Sequence, residues 1–244
     1  MELFHCFGAR PEHRVDTRQA VDMLAASGCR YLAVNTHTID RVDRGDDLPI
    51  GYWTATLGSV RDALGADSPV VPVLNINHPV TAEEAVERTH RAAELTGLRV
   101  IKLEVLDEDF TVSRNEAVLA AAATLVDEGF EVWPLITPDE AVLAECVALG
   151  STMVRVMGSP IGARRGIDPQ WREEMDRVLA TASVPVMLDG GVGSVEHAVA
   201  AARQGFSSIL VNSCLFADGD PVAALRGFRA AIDAADAPAT LVRG

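Results

Sequence analysis

Short runs of β-branched and apolar residues alternate along the chain with longer stretches in which apolar positions recur at helical spacing. The runs at 3–7, 31–34, 70–74, 99–105, 130–135, 153–157, 184–188 and 208–211 predict eight strands. Amphipathic stretches at 17–26, 81–95, 116–127, 138–149, 171–180, 195–203 and 221–234 predict helices, with a weaker one at 54–64. Thr81 ahead of Glu83 and Glu84, and Ser194 ahead of Glu196, supply the cap oxygen and early carboxylates of helix starts. Gly28, Gly129, Gly150 and Gly205 stand where helices give way to strands, at positions suited to a left-handed C-cap. Repeated β–α units with short connections predict one α/β domain, a single (β/α)8 TIM barrel over 1–244. An open doubly wound sheet is the alternative, and the lack of a GxGxxG after the first strand counts against it.

Composition narrows the function more than the fold. The 244 residues suit one barrel, and 48% hydrophobic residues suffice for a large core without staples. A net charge of −14, from 21 basic and 35 acidic side chains, argues against a nucleic-acid partner. Cys6, Cys29, Cys146 and Cys214 are scattered without a CxxC pair and read as reduced thiols of a cytoplasmic protein. The strand-like run from Leu3 leaves no room for a basic, cleavable leader, so no signal peptide is expected. No apolar stretch is long enough to cross a membrane. The six histidines show no HExxH or other ligand spacing, so no metal and no cofactor are expected.

In such a barrel the chemistry lies at the C-terminal ends of the strands. Within Ile101-Lys102-Leu103-Glu104-Val105 the alternation of faces puts Lys102 and Glu104 together inside, opposite the three apolar residues. A lysine held there is expected to lose solvation, fall in pKa and become an amine nucleophile. A purely structural ion pair is the other reading. Asp189 ends a strand and is followed by Gly190-Gly191-Val192-Gly193-Ser194, a turn whose amides can approach an anion at a helix start. A plain tight turn capped by Asp189 is the alternative there. Gly162, Gly190, Gly191, Asn212 and Ser213 are candidates to converge on one phosphate, in the loops where barrels commonly hold one. Arg164 and Arg165 join the mouth or are solvated loop charges. His5, Asn35, His37, Asn75 and His78 lie near strand ends and are candidates to line the mouth.

The motifs together resemble the thiazole synthase family. The resemblance covers about residues 81–235 and rests on Thr81-Ala-Glu-Glu-Ala85, Ile101-Lys-Leu-Glu-Val105, Ala123-Thr-Leu-Val-Asp-Glu-Gly-Phe130, Gly158-Ser-Pro-Ile-Gly162, Asp189-Gly-Gly-Val-Gly193, Val211-Asn212 and Asp220-Pro-Val222. It implies that Lys102 forms an imine with a sugar phosphate and that Glu104 and Asp189 move protons. It also implies that Gly162, Gly190, Gly191, Asn212 and Ser213 hold the phosphate. Sulfur would come from a partner, a small ubiquitin-like sulfur carrier protein ending in a thiocarboxylate. The N-terminal third departs from the family. Cys6-Phe7-Gly8-Ala9-Arg10 replaces a Gly-Thr-Gly-Lys segment, and Asn35-Thr36-His37-Thr38 replaces a basic one. Asn75-Ile76-Asn77-His78 and Arg164-Arg165 also differ from the family pattern.

Retained chemistry with a changed mouth is similar to the 2-thiosugar synthases of actinobacterial antibiotic pathways, an offshoot that acts on glucose 6-phosphate. Thiazole synthesis from 1-deoxy-D-xylulose 5-phosphate, a Schiff-base lyase and a non-catalytic phosphate-binding barrel are the rival expectations. Association into a homo-oligomer is common among such barrels and is left open.

Overall fold

The computed structural model describes residues 1–236; the last eight residues of the expected domain, 237–244, lie outside the described residues. The first half of the chain forms β1 (Glu2–His5), α1 (Thr17–Ser27), β2 (Tyr31–Asn35), α2 (Leu57–Leu64), β3 (Val71–Ile76), α3 (Ala82–Thr96), β4 (Val100–Leu103) and α4 (Asn115–Asp127). The second half forms β5 (Glu131–Ile136), α5 (Glu140–Leu149), β6 (Val154–Met157), α6 (Arg172–Thr181), β7 (Val186–Asp189), α7 (Val195–Gln204), β8 (Ser208–Val211) and α8 (Pro221–Asp236). The predicted barrel is thus observed, with strand ends shifted by one or two residues.

Every ladder is parallel, and the strand order is β1–β8–β7–β6–β5–β4–β3–β2. Between β1 and β2 there is no ladder among the described residues, and side chains close that seam. Phe4 stacks on Tyr31 with ring centroids 5.1 Å apart, and beyond the strand ends the backbone of Phe7 forms an isolated bridge with Gly51. Trp133 meets both Phe4 and Tyr31 edge-on, at 6.0 and 4.9 Å, and fills the interior toward the N-terminal ends. The helices form the outer layer, where α8 packs on both α1 and α7 and completes the ring. No helix among the described residues is long and apolar enough to cross a membrane.

Local sequence sets the element ends. Thr81 accepts from the Glu84 amide at 3.2 Å, and the Glu84 carboxylate accepts from the Val80 amide at 2.9 Å. Ser194 occupies the N-cap of α7 in extended backbone, but its hydroxyl makes no capping bond, contrary to expectation. β4 ends at Leu103, which leaves Glu104 as the first residue beyond it.

The ladder register selects the interior side chains, because paired residues of parallel strands share a face. Asn35 pairs with Asn75, and Asn75 with Lys102. On the other side Leu135 pairs with Arg155, and Met157 with Asp189. A polar layer therefore spans the barrel at its C-terminal end. The long connection from β2 to α2, with 3-10 turns at Ile39–Arg41 and Gly45–Asp47, returns over this end and is tied by the Asn35 amide to the Pro49 carbonyl at 2.9 Å. The sequence pattern shows no period there and does not forecast the excursion.

Candidate active site

A cavity of about 340 Å³ opens at the C-terminal end of the barrel. Lys102, Glu104 and Asp189 line its floor, and Arg155 lies buried beneath, paired with both carboxylates. Lys102, Glu104, Arg155 and Asp189 are 6, 8, 0 and 3% exposed. The Lys102 amine contacts Glu104, lies 3.7 Å from Asp189, and donates to the side-chain oxygen Oδ1 of Asn75 at 3.2 Å. Arg155 donates through Nε to Asp189 at 2.8 Å, and its terminal nitrogen Nη2 reaches Glu104 at 2.7 Å and Asp189 at 2.5 Å. Its other terminal nitrogen donates to the carbonyls of Leu103 and Trp133, each at 3.3 Å.

This cluster confirms the shared face of Lys102 and Glu104 and corrects the expected pKa. Burial and Arg155 do press Lys102 toward neutrality. The carboxylates of Glu104 and Asp189 outweigh them, so the amine titrates above its ordinary value. Burial alone would raise Glu104, but Lys102 and then Arg155 hold it down at about 2. The free cluster is therefore an ion network with a charged amine. Sequence reasoning missed Arg155, although its alternation with Val154 and Val156 marks it as facing inward.

One wall is made of backbone. Gly162, Gly190, Gly191, Asn212 and Ser213 all line the cavity, together with Gly8. Gly190 and Gly191 have φ of 91° and 86°, and a Cβ on Gly191 would collide with the Gly166 carbonyl and the Ser159 hydroxyl. Asn212 uses its side chain to bind Gly8, accepting from that amide at 2.9 Å and donating to that carbonyl at 3.3 Å. It thereby joins the loop after β1 to the end of β8. Arg164 lines the cavity and closes over Ser213, donating to its hydroxyl at 3.1 Å and also to its carbonyl.

The facing wall is made of side chains. Asn35, Tyr52, Asn75, Asn77, His78 and Phe110 line it. Asn75 donates to Asn35 at 3.2 Å, and Asn35 donates to the Ile50 carbonyl at 3.4 Å, which orients both amides. Asn77 keeps a buried side-chain oxygen without a partner. His78 holds a left-handed backbone at φ 78°, unusual for a residue with a Cβ. Phe110 and Ile161 form an exposed rim, joined by the Ile161 amide and the Phe110 carbonyl at 3.1 Å.

Three expected mouth residues are placed elsewhere. His5 is paired with Val211, on the face opposite Phe4 and Cys6, and is buried against Phe7. Its ring nitrogens make no well-formed hydrogen bond, and burial pushes it down to about 4, opposed only by the Cys6 backbone. His37 is outside the lining and stacks behind Tyr52, with centroids 5.4 Å apart. Arg165 turns away and pairs with Asp168 at 2.5 Å. Conversely Cys6, read as an ordinary buried thiol, lines the cavity. Burial pushes its thiol up, so it stays protonated at neutral pH. No group of side chains suited to a metal ion occurs among the described residues.

The family model described as "Thiazole biosynthesis protein ThiG" matches residues 62–240. Thiazole synthase of Klebsiella pneumoniae is 32% identical over 215 residues, covering 88% of this chain and 78% of that protein. Thiazole synthase of Brucella suis is 34% identical over 155 residues, 63% of this chain, and the match spans only 60% of that relative's length. Among solved structures, the Amycolatopsis orientalis BexX/CysO complex superposes with a TM-score of 0.80 at 24% identity, covering 96% of this chain and 88% of the other. At that identity the likeness speaks for the fold. The ThiG match alone spans most of the chain, and with the Klebsiella relative it carries the assignment: the chain belongs to the thiazole synthase family.

Proposed function

We propose that this protein is a sulfur-incorporating synthase that binds glucose 6-phosphate as an imine on Lys102 and makes a 2-thiosugar phosphate. The observation that carries the reading is a primary amine buried between two carboxylates, under a cavity with one glycine-rich wall. That wall suits a phosphate, because backbone amides can approach an anion where side chains are absent. Gly162, Gly190, Gly191 and Ser213 would hold it, with Arg164 alongside. Asn212 would act indirectly, by fixing Gly8.

Lys102 would release its proton to water in the cavity and add to the aldehyde of the open-chain sugar, with loss of water. The imine withdraws electrons from the neighbouring carbon, so a carboxylate can remove its proton near neutral pH. Reprotonation at the first carbon leaves a ketone at the second. The thiocarboxylate of a ubiquitin-like carrier would attack that ketone. Transfer of the carrier's acyl group from sulfur to the hydroxyl oxygen and loss of its carboxylate would leave a thioketone at the second carbon. Moving a proton from the first carbon to the second would regenerate the imine beside a thiol, and hydrolysis of that imine would restore Lys102.

Thiazole synthesis from 1-deoxy-D-xylulose 5-phosphate is the second reading, favoured by the names of the relatives. Against it, the ThiG match begins at residue 62, and Cys6 and Gly8 of the cavity lie well before it. The two readings separate when the protein is incubated with a carrier thiocarboxylate and either sugar phosphate. A thiol-bearing hexose phosphate, seen by mass spectrometry, is the expected product. Sulfur transfer only with the deoxyxylulose phosphate would move the protein to thiazole formation.

A further inference from the structure

Arg155 takes no part in the imine and sulfur-transfer steps, yet it is the most deeply buried charge of the floor. Desolvating a guanidinium is unfavourable unless its partners are nearly ideal, and a barrel core is readily filled with branched apolar residues instead. All of its donors are engaged by few partners: two carboxylates, from β7 and the end of β4, and two carbonyls. Those carboxylates are the same two that contact or approach the Lys102 amine.

We infer that Arg155 is a positioning residue, which holds Glu104 and Asp189 at fixed points beside the Lys102 amine and keeps both ionised while that amine gives up its proton. The charge count explains the need. With Lys102 and Arg155 against Glu104 and Asp189, the floor is neutral. Once Lys102 is a neutral amine, Arg155 remains against two carboxylates. Without Arg155 the same step would leave two buried carboxylates and no cation, so the floor would retain a proton instead.

Among the described residues no other cation pairs with Glu104 or Asp189: Arg10 and Arg164 line the cavity, but Arg10 lies beside Glu12 and Arg164 on Ser213. Lys102 faces Glu104 past β4, Arg155 on β6, Asp189 on β7 and Cys6 past β1, whose thiol is protonated. Asn35 and Asn75 on β2 and β3 are neutral, as are Trp133 on β5 and Leu210 on β8. His78, the remaining titratable group near Glu104, is pushed down by burial and is uncharged at neutral pH.

The effect on rate rests on the imine reading; the charge state of the carboxylates does not. The test therefore has two readouts in wild type, Arg155→Met and Arg155→Lys. The first is the protonation of Glu104 and Asp189 by carbon-13 carboxyl NMR across the neutral range, assigned with Glu104→Gln and Asp189→Asn. The second is the pH dependence of borohydride trapping with glucose 6-phosphate. Both carboxyls should be ionised in wild type, and one should take up a proton in Arg155→Met. Its trapping profile should move up by about one pH unit or more, roughly tenfold slower at a fixed neutral pH. Arg155→Lys should keep the wild-type profile and lose rate at the plateau. A folded Arg155→Met with both carboxyls ionised and an unmoved profile overturns the inference. If Arg155→Met does not fold, an Arg155→Lys protein with an unchanged plateau overturns the positioning. If wild type traps no sugar, the imine reading fails, and the carboxyl titration alone decides the role of Arg155.

Discussion

The two walls of the cavity solve different problems. On the side of β6, β7 and β8 the cavity is lined by Gly162, Gly190 and Gly191, and Asn212 and Arg164 are spent on holding loops together. On the side of β2 and β3 it is lined by side chains: Asn35, Asn75 and Asn77 offer amide groups, with Tyr52 and His78 beside them. A backbone wall binds whatever anion fits and is hard to change one residue at a time. A side-chain wall changes its preference with each substitution, because a polar group left without its partner on binding discriminates strongly. On the proposed function, the comparison separates a wall suited to the phosphate from a wall suited to reading the sugar.

Perturbing the floor between the walls should have the largest effect. Lys102→Ala is expected to reduce sugar trapping to background while the chain stays folded, as judged by circular dichroism and phosphate binding.

Next comes the backbone wall. Gly191→Ala forces a Cβ into a left-handed residue against Gly166 and Ser159. A cost of about 1–3 kcal/mol is expected, shared between thermal stability and phosphate affinity. Calorimetry with inorganic phosphate reads the second part, and unchanged affinity would detach this wall from the phosphate.

The side-chain wall should respond more selectively. Asn77→Ala removes a buried oxygen that no protein group satisfies. A roughly tenfold loss of affinity for the hydroxylated sugar phosphate is expected, with inorganic phosphate unaffected. Equal losses for both ligands would erase the distinction between the walls.

The smallest effect concerns stability in acid. His5 is depressed from 6.5 to about 4 by burial, so the unfolded chain takes up its proton first. The stability it contributes is present above pH 6.5 and is lost as pH falls toward 4, by at most about 3 kcal/mol. Glu104, depressed from 4.5 to about 2, adds a similar loss at lower pH. Thermal midpoints of His5→Leu should be flatter than wild type between those first two values. Parallel curves would show that His5 does not govern this window.

How much of the molecule is legible in its sequence follows the same division. Local rules place the strands, and the alternation in 101–105 alone is enough to put Lys102 and Glu104 on one face. The glycines of the other wall are equally visible, since Gly190 and Gly191 directly follow a strand-ending carboxylate. What fails depends on partners distant in sequence. A single buried amine is depressed, which is the expectation for Lys102; two carboxylates in its contact shell reverse the sign. Nearness to a strand end puts His5 at the mouth, whereas the register turns it to the helical side. Tyr52 arrives by an aperiodic excursion that no local pattern forecasts. Arg155 is within reach of the alternation rule and needs only to be read with it.

The central claim is that Lys102 is the residue that carries the sugar. Its most direct test is borohydride reduction in the presence of glucose 6-phosphate, followed by intact-mass measurement and peptide mapping. A single adduct with the mass of the reduced sugar phosphate, located on Lys102 and absent from Lys102→Ala, is the predicted result. An adduct on another amine, or the same adduct in the alanine variant, would contradict the account.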